Sequence, residues 1–576
     1  MDSSASAIQP ADSTGIALRQ EGHRADTAVP DDTSRKLTGI SSHINGELTL
    51  YTIENDLIRV TISNQGGKIH SVQLKNYRTW DSLPLHIFRD GQSDINLNFF
   101  AGNKIISTSG LFFIPDGNQG VIENDTAKII SLNLQENENR YLKFTYWLSP
   151  ESYMVNFRIE FAGMDSIIAS NTSFIGFNFN LTTPRQEKNL ESERMNSTIY
   201  YSFTDGESDY LSETSDERIT VQNRLKWIGL KQHFFSAILI AGESFDKPTY
   251  LETHTPPKEE TGYVKKLSAE LTIPYDHKPH ESFGMKFYFG PNHYQSLKRE
   301  DLGLEAVLPL GWGIFGWVNK FFIIPVFNFL NEYISNYGLI ILLLTVIIKI
   351  ILILPTYRTY LSSARMKALK PETDALNAKF PKAEDSLKRQ QAMMELYKKA
   401  GVNPLGGCLP MLLQLPILIA MFRFFPASIE LRQQGFLWAD DLSSYDSIWD
   451  MPFNIPFYGD HVSLWTLLMT ASTLLYTWIN QKMTPSSPQM EQMKWMMYLM
   501  PIFFLGIFNN YSAALSYYYF LVNIISFGQQ YLMKFFVNED ELRKKIMERK
   551  KQPVKKSFFQ QRLEKMAKGR GMKLPK

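Results

Sequence analysis

The strongest constraint on the fold is a set of five long apolar stretches, all in the second half of the chain. A helix needs roughly 17–25 mainly apolar residues to cross the hydrocarbon core of a bilayer, and each stretch is at or near that length. We therefore predict an α-helical membrane domain over residues 337–536. The predicted spans are 338–354, 405–425, 463–479, 493–508 and 513–535.

Charge divides the chain near residue 310. Residues 1–310 hold 29 Lys and Arg against 40 Asp and Glu, a net charge of −11. Residues 311–576 hold 31 against 18, a net charge of +13. The single cysteine, Cys408, excludes a disulfide framework and any multi-cysteine metal site. The chain is therefore predicted to join an acidic soluble module to a basic membrane module.

Residues 46–300 have the pattern of β-structure. In the segment YMVNFRIEF, apolar and polar residues alternate with the period of a half-buried strand. A predicted turn at Asn64–Gly67 and many other short strand-like segments favour a large antiparallel β-sandwich. The residues expected on the buried face of that segment are Val155, Phe157, Ile159 and Phe161.

Two segments flank this module. Residues 1–45 lack a sustained apolar pattern and are expected to be disordered. Residues 301–336 form a linker that ends in the apolar but interrupted segment Trp317–Ile334. That segment is predicted to be an amphipathic helix lying in the membrane interface. The alternative is an ordinary buried helix of the β-domain.

Loop charge predicts the orientation, because Lys and Arg concentrate on the cytoplasmic side. Residues 356–404 carry ten Lys and Arg against five acids, and the tail 537–576 carries fourteen against five. Residues 427–461 carry only Arg432 against six acids. The first two segments are therefore predicted to be cytoplasmic, and the third lies outside with the β-domain. An outside β-domain must itself be translocated, so we expect an upstream transmembrane helix in the natural protein.

The cytoplasmic stretch 356–404 is predicted to be a helical hairpin. Its first arm has an apolar seam at helical spacing, and Pro381 is expected to form the turn. The hairpin is either a docking arm or a solvated element with no special role. The basic tail either binds anionic lipid or RNA phosphates, or serves only as a topology signal. The seam is Met366, Leu369, Thr373, Leu376 and Phe380, and the answering face is Leu387, Met394 and Tyr397.

Lys349 lies inside the first predicted span. A lysine at the centre of a membrane helix costs about 2.5–3.5 kcal/mol on insertion scales. It therefore faces a cavity or a partner, or its long stem reaches the interface. Four further polar residues lie in or at the end of spans, where they form either interhelical hydrogen bonds or a shared wet cavity. These are Thr345, Gln414, Asn480 and Asn523.

The sequence gives little support for a nucleotide-binding, metal-binding or catalytic site. The segment GWGIFG at Gly311–Gly316 has the spacing of a dinucleotide loop but follows no strand. No metal-binding or nucleophile motif occurs, and Cys408 is interpreted as a packing residue. We expect no cofactor, no metal and no enzymatic activity. The predicted spans contain no carboxylate, which argues against a proton-coupled pump.

Several segments resemble the YidC/Oxa/Alb family of membrane-protein insertases. They are ELYKKAGVNPLGGCLPMLLQLPI, FPASIELR, QKMTPSSP, PIFFLGIF and SYYYFLVNIISFGQQ in the membrane domain. In the β-domain, IRVTISNQGGKI, WIGLKQHFFSAILI and FYFGPN resemble the periplasmic domain of the bacterial members. The resemblance extends over about residues 46–540 in the expected order.

This resemblance implies a bacterial inner-membrane protein with a periplasmic β-sandwich, five spans and a cytoplasmic hairpin. It also implies a hydrophilic groove that is sealed on the outer side and carries one positive charge. Lys349 occupies the place where the family usually has arginine. Thr345, Gln414 and Asn523 match groove-lining positions, and Asn480 is assigned to the same groove.

The resemblance further implies how clients move and what the chain contacts. Pro416, the fourth span and the pair Tyr518 and Tyr519 resemble the surface along which client helices slide. The implied partners are nascent membrane proteins, the Sec translocon and membrane lipids. The hairpin and the basic tail are implied to contact the ribosome. Two rival functions stay open: a solute transporter or channel, and a membrane-tethered sugar-binding protein.

Overall fold

The computed structural model describes residues 43–117, 121–123, 127–380, 385–402, 409–483 and 488–551. Most of the segment predicted to be disordered, 1–45, therefore lies outside the described residues. So do Cys408, the predicted turn at Pro381 and the tail beyond residue 551. The account below concerns only the described ranges.

The N-terminal module is built of strands, as the alternating patterns predict. Its antiparallel pairs form one sheet in the order β1-β2-β3-β4 and a larger sheet with the path β6-β5-β12-β18-β17-β19-β11-β10-β9-β7. The strands are β1 (Leu50–Glu54), β2 (Ile58–Ser63), β3 (Ile69–Arg78), β4 (Pro84–Phe88), β5 (Ser93–Ala101), β6 (Lys104–Ser107), β7 (Ile114–Pro115), β8 (Val121–Glu123), β9 (Lys128–Asn137), β10 (Arg140–Leu148), β11 (Met154–Ala162), β12 (Phe174–Thr182), β13 (Thr198–Phe203), β14 (Ser208–Tyr210), β15 (Glu217–Val221), β16 (Leu225–Lys231), β17 (Phe235–His254), β18 (Lys266–Pro274) and β19 (His280–Pro291).

The larger sheet folds over itself at its longest strand, β17. The first half of β17 pairs with β16 and β19, and its second half pairs with β15 and β18. Rings from the two layers meet in the core, with the centroids of Phe179 and Phe287 5.8 Å apart. The result is a large antiparallel β-sandwich, so the predicted class of this domain is confirmed.

Strand β11 follows its predicted pattern. The side chains of Val155, Phe157, Ile159 and Phe161 are buried in the sandwich core. The predicted turn also forms, because β2 ends at Ser63, β3 begins at Ile69, and Gly66 and Gly67 between them have positive φ angles. Glycine adopts this backbone region without the steric cost that a Cβ imposes.

The rest of the described chain is mainly helical. A small hairpin of β20 (Trp449–Ile455) and β21 (Gly459–Val462) interrupts it. The helices are α1 (Leu190–Met195) and α2 (Tyr294–Arg299) in or beside the sandwich, then α3 (Gly313–Tyr333), α4 (Tyr337–Ile351), α5 (Ile353–Ala368), α6 (Lys370–Lys379), α7 (Ser386–Ala400), α8 (Leu409–Ala427), α9 (Leu464–Met483), α10 (Pro488–Asn509), α11 (Ala513–Phe536) and α12 (Glu539–Lys550).

Length and composition alone distinguish few of these helices as membrane spans. Within the described ranges, α3 is long and apolar enough to cross a bilayer, with 21 residues. The pair α4 and α5 meets the same criterion together but is bent by 61°. Shorter apolar segments are Gln414–Ala427 and Trp495–Asn509. The helices α9 and α10 extend past the predicted spans 463–479 and 493–508, because polar residues continue the helix where the apolar run stops.

The first predicted span, 338–354, ends too late. Helix α4 stops at Ile351, and Leu352 leaves the helical region with a ψ angle of 2° before α5 begins. Leu354 is largely exposed. Hydropathy could not locate this bend, because the residues on both sides of it are equally apolar. Lys349 therefore lies in the last turn of α4 rather than near the middle of a span.

Helices α5, α6, α7 and α12 form a separate apolar cluster. Met366, Leu369 and Thr373 of the predicted seam are buried. The predicted answering face is wrong at two positions, since Leu387 and Met394 are exposed. The buried partners on α7 are instead Met393, Tyr397 and Ala400, together with Leu542 and Ile546 of α12. Because Met393 and Met394 are adjacent, the buried face of α7 was predicted one residue out of phase. The contribution of α12, the helix in the tail, was not predicted.

The β-domain also contacts the helical region directly. Arg432 forms an ion pair with Glu187, and the His233 ring N–H donates to the Pro426 carbonyl at 2.8 Å. The side chain of Asn189 donates to the carbonyl of Asn510 at 2.9 Å. The sandwich is therefore joined to the end of α8, to the segment after it and to the residue that follows α10.

Candidate functional site

The candidate site is a polar cluster between α4, α9 and α11, with Lys349 at its centre. Lys349 Nζ donates to Ser526 Oγ at 2.8 Å, and Ser526 Oγ donates to the Val522 carbonyl at 2.6 Å. Gln529 donates to the Lys349 carbonyl at 3.0 Å. Lys349 is only 6% exposed. No ion pair between it and a carboxylate occurs in the described part of the chain, so the ammonium charge is held by a hydroxyl alone.

A second layer of the cluster lies nearer the middle of α11. Asn523 Nδ2 donates to Ser472 Oγ at 3.0 Å and to Thr473 Oγ1 at 2.9 Å, both on α9. Asn523 lies ten residues past the start of α11, about 15 Å along the helix. These bonds hold α9 against α11 and keep polar groups deep within an otherwise apolar bundle.

A third layer lies toward the C-terminal ends of α9 and α11. Gln530 Nε2 donates to Asn480 Oδ1 at 3.1 Å. The oxygen of the same amide, Gln530 Oε1, is buried without a hydrogen-bond partner in the described residues, and so is Thr470 Oγ1 in the first half of α9. Buried polar atoms are normally paired with protein or water. The Gln530 amide oxygen and the Thr470 hydroxyl are therefore available to bond with solvent or with a polar segment of another chain.

The opposite end of the same helices is filled by aromatic rings. The centroids of Trp438 and Trp465 lie 4.3 Å apart, and those of Trp465 and Tyr517 lie 4.5 Å apart. Phe436 packs 5.0 Å from Tyr517. Asp446 fixes this group, accepting from the Trp438 indole at 2.9 Å and from the Trp465 amide at 3.1 Å. We call Phe436, Trp438, Trp465 and Tyr517 the aromatic closure.

Helix α4 meets the aromatic closure at Gly338. A Cβ atom at this position would overlap the Phe436 ring, so only glycine permits the contact. Lys349 lies eleven residues further along α4, about 16 Å along the axis. One helix therefore connects the closed aromatic end of the bundle to its polar end.

The structure brings some of the predicted groove residues together and leaves others apart. Asn523 and Asn480 belong to the two layers beside Lys349. Thr345 is buried on α4, where its hydroxyl donates to the Ile341 carbonyl of its own helix at 2.7 Å. Gln414 is half-buried on α8, and within the described residues no hydrogen bond joins it to the cluster.

The predicted slide residues differ in their accessibility. Pro416 is half-buried within α8. Tyr518 is fully buried, with its ring 5.5 Å from Phe425, and Tyr519 is half-buried with its ring 6.1 Å from Phe508. Tyr518 therefore becomes accessible only if α8 and α11 separate. The exposed apolar surface nearby lies instead on α10.

Sequence reasoning missed the residues that actually contact Lys349 and Asn523. These are Ser526, Gln529, Ser472 and Thr473. A signal was present, because Asn523, Ser526 and Gln530 follow each other at spacings of three and four and so share one face of α11. Serine and threonine are common in membrane helices, which is why this stripe did not stand out.

The fold and the site together define a class of protein. A β-sandwich is docked on a bundle of apolar helices, and the bundle holds a buried cation and polar side chains at one end and an aromatic closure at the other. This is the arrangement of a membrane-embedded protein with a large water-exposed domain.

Comparison with known proteins identifies the family. The family model described as the YidC periplasmic domain matches residues 50–324, and the one described as 60Kd inner membrane protein matches residues 329–540. The membrane protein insertase YidC of Parabacteroides distasonis is 42% identical over 527 residues, covering 89% of this chain and 82% of the relative. That of Bacteroides fragilis ATCC 25285 is 40% identical over 537 residues, covering 92% and 85%. The chain belongs to the YidC family of membrane protein insertases.

A solved structure extends this comparison. A crystal structure of an active YidC insertase is 17% identical, with 86% of this chain and 96% of that chain covered. The TM-score is 0.33, which carries no argument about the fold. The assignment to the family therefore rests on sequence, and the geometry of the polar cluster stands on this chain alone.

Proposed function

We propose that this chain inserts client proteins into the bacterial inner membrane, alone or beside the Sec translocon, by moving their short polar outer segments through the polar cluster. The observation that carries the proposal is the Lys349 ammonium, buried against a single serine hydroxyl with no carboxylate partner within the described residues. A positive charge in a low-dielectric surrounding attracts acidic groups strongly. Acidic residues in a client's outer segment would supply the missing counter-charge.

The driving force comes from the client itself. An incoming helix of about 20 apolar residues gains roughly 6–12 kcal/mol on entering hydrocarbon, at about 0.3–0.6 kcal/mol for each strongly apolar residue. No nucleotide is needed for this step. What limits insertion is the passage of polar residues, and a polar half-channel shortens that passage. The aromatic closure would keep the other half sealed to ions.

The cluster must open before a client can enter. Lys349 is covered by neighbouring side chains, and its bond to Ser526 joins α4 to α11. A hydrogen bond to a charged group contributes only about 1.5–3 kcal/mol net, so thermal motion or an acidic client segment can replace it. The opening would separate the ends of α4 and α11 near Lys349 and expose the layers at Asn523 and Gln530.

The proposed topology has five spans, formed by α4, α8, α9, α10 and α11. Two sets of contacts support it. The loop predicted to lie outside binds the β-domain through Arg432 and Glu187. The hairpin and the tail, both predicted to be cytoplasmic, pack together through Leu369 and Ile546. Segments assigned to the same side of the membrane therefore contact each other.

Helix α3 is proposed to lie in the outer membrane interface, although its length would permit a crossing. Near its start, Asn319 donates to the Ala420 carbonyl at 2.9 Å. Further along, the ring of Phe327 lies 5.2 Å from Phe424 and 5.9 Å from Tyr337. The two contacts lie eight residues apart on α3 but only four apart on α8, so α3 crosses the outer half of α8 at an angle instead of running parallel to it.

The surface along which client helices are proposed to slide includes the residues from the family pattern and a second, more exposed area. Pro416, Tyr518 and Tyr519 keep their proposed role, with Tyr518 reached only in an opened state. The exposed apolar side of α10, which includes Phe503 and Leu499, offers a client helix a ready surface. Clients would leave the polar cluster along this side and enter lipid directly.

The ribosome is proposed to bind the hairpin together with the basic tail. Helix α12 brings the start of the tail onto the hairpin, where Lys550 pairs with Glu372. Deleting residues 552–576 removes eight further basic residues while leaving α12 packed. We expect this deletion to weaken co-sedimentation with ribosomes, and the remaining binding to fall with salt.

The central test uses Lys349 variants and two clients. In proteoliposomes, Lys349→Ala should reduce insertion of a client with an acidic outer segment, as measured by protease protection. Lys349→Arg should retain most activity because it keeps the charge. A client with an uncharged outer segment should depend less on Lys349. Lys320→Ala is the matched control, since Lys320 is an exposed lysine on α3. Unchanged insertion by Lys349→Ala would refute the role of the cluster, and solute flux without insertion would favour a transporter.

A further inference from the structure

The hairpin of β20 and β21 has an apolar face that the protein leaves uncovered. Along WDMPFNIPF the apolar residues alternate with Asp450, Pro452, Asn454 and Pro456. Trp449 is 61% exposed, Phe453 58% and Phe457 93%. Alternation normally marks a strand whose apolar side is buried. Here that side faces outward, so another phase or molecule must cover it.

The hairpin is held rigidly at the end of α10. Asn510 Nδ2 donates to the Tyr458 carbonyl at 2.9 Å, and Asn509 Nδ2 donates to the His461 carbonyl at 2.8 Å. The His461 ring N–H donates back to the Asn509 carbonyl at 2.8 Å. The turn also packs closely on α10, since a Cβ on Gly506 would lie 2.9 Å from the Phe457 carbonyl oxygen. The exposed apolar face is therefore fixed in position.

This position continues an apolar surface of the membrane domain. The last turns of α10 expose Ile502, Phe503 and Ile507. In space, the hairpin lies directly beyond this end of the helix. On its other side, the same loop meets the β-domain, where the Lys188 ammonium lies 4.3 Å from the Tyr445 ring. The hairpin thus lies at the level between the membrane helices and the water-exposed domain.

We propose that this hairpin is an interfacial anchor that inserts Trp449, Phe453 and Phe457 into the outer leaflet beside α10. Aromatic side chains concentrate at the boundary between headgroups and acyl chains. Residues 447–462 contain acids but no Lys or Arg, so attraction to anionic headgroups has no part in this contact. The partner is the apolar boundary of the bilayer, and binding is independent of lipid charge. The inference rests on the topology given in the proposed function.

An anchor here has a consequence for α10. Burying aromatic side chains beside the outer end of this helix fixes its depth and tilt relative to the lipid. Helix α10 is the helix along which client helices are proposed to leave. The anchor would therefore hold the exit surface at a constant height while a client moves past it.

The test measures the depth of single spin labels in the full-length chain in phosphatidylcholine liposomes, with Cys408 replaced by serine. Labels are placed at Phe453→Cys and Phe457→Cys. The matched control is Asn454→Cys, the neighbouring residue on the opposite face of the strand. A second control, Lys278→Cys, lies before β19 at the far end of the sandwich. Accessibility to oxygen and to a water-soluble nickel chelate is compared at each position.

We expect labels at 453 and 457 to have an oxygen-to-nickel accessibility ratio several-fold higher than labels at 454 and 278. Adding anionic lipid or salt should leave the ratios unchanged. Equal ratios at 453 and 454 would overturn the anchor, and so would shielding that arises only when a client helix is added. Depth is independent of insertion activity, so failure of Lys349→Ala to impair insertion would leave this result interpretable on its own.

Discussion

Arg432 and Glu187 form a buried ion pair that joins the membrane domain to the β-sandwich. The guanidinium Nε lies 2.7 Å from Glu187 Oε1, and the two side chains are 2% and 9% exposed. The Arg432 side chain also donates to the Arg78 carbonyl at 2.7 Å. Burial raises the pKa of Glu187 to about 7, because its effect is larger than the opposing effect of the Arg432 charge. The arginine that the loop-charge argument counted only as a topology signal is thus a structural contact between domains.

Replacing Arg432 with alanine should weaken this docking. Breaking a buried ion pair costs about 3–5 kcal/mol, and we expect about 3 kcal/mol because Glu187 can then take up a proton. Thermal unfolding in detergent should measure the loss, and hydrogen exchange should rise in the segments around Glu187 and Arg432. The control is Arg224→Ala, which removes an exposed ion pair with Asp246 and should cost less than about 1 kcal/mol. Equal effects of the two variants would contradict a role for burial.

His233 should make the same interface sensitive to acid. Burial, together with the nearby charges of Lys231 and Arg432, lowers the pKa of His233 to about 3. The unfolded chain therefore binds a proton that the folded chain excludes between the folded pKa and about 6.5. Stability should fall as the pH drops below about 6.5, by up to about 1.4 kcal/mol per pH unit for this group.

The measurement is thermal unfolding between neutral and mildly acidic pH. His233→Gln keeps an N–H donor for the Pro426 carbonyl but cannot titrate, so its unfolding should depend less on pH. His254→Gln is the control, because His254 is exposed and pairs with Asp216 at the surface. If His233→Gln retained the full acid sensitivity of the unchanged chain, another group would be responsible.

Gly338 should control the aromatic closure. A Cβ at this position would overlap the Phe436 ring. Gly338→Ala should therefore displace that ring, with a loss of about 1–3 kcal/mol from overpacking, and increase the leak of small ions from proteoliposomes. Gly528→Ala on α11 is the control, since its added Cβ would meet nothing within 4 Å. A tight membrane in Gly338→Ala would show that the closure does not depend on this contact.

The tail helix should detach when its buried face is charged. Leu542 packs in the cluster between the hairpin helices. Leu542→Asp would bury a carboxylate without a partner, which is strongly unfavourable, so α12 should undock and its basic residues should be cut faster by trypsin. Met547→Asp changes an exposed residue of the same helix and should leave cleavage unchanged. Similar cleavage of both variants would argue against the packing.

The sequence predicted the architecture well because that part depends on patterning. Alternation located strand β11, and long apolar runs located the helices that hold Lys349 and Asn523. The bend at Leu352 was missed because hydropathy carries no information about the direction of the backbone. The partner Ser526 was missed because a hydroxyl in a membrane helix is common, and only its spacing from Asn523 marks it. Long-range contacts such as Arg432 with Glu187 leave no local signal in a single sequence.

The docking of α12 on the hairpin has a consequence for synthesis. Met366 and Leu369 are translated long before Leu542 and Ile546, which complete their burial. While the spans between them are still being made, the hairpin seam lacks its last cover. The cluster of the hairpin and α12 is therefore complete only when the ribosome has almost finished the chain, and until then part of its apolar surface stays uncovered.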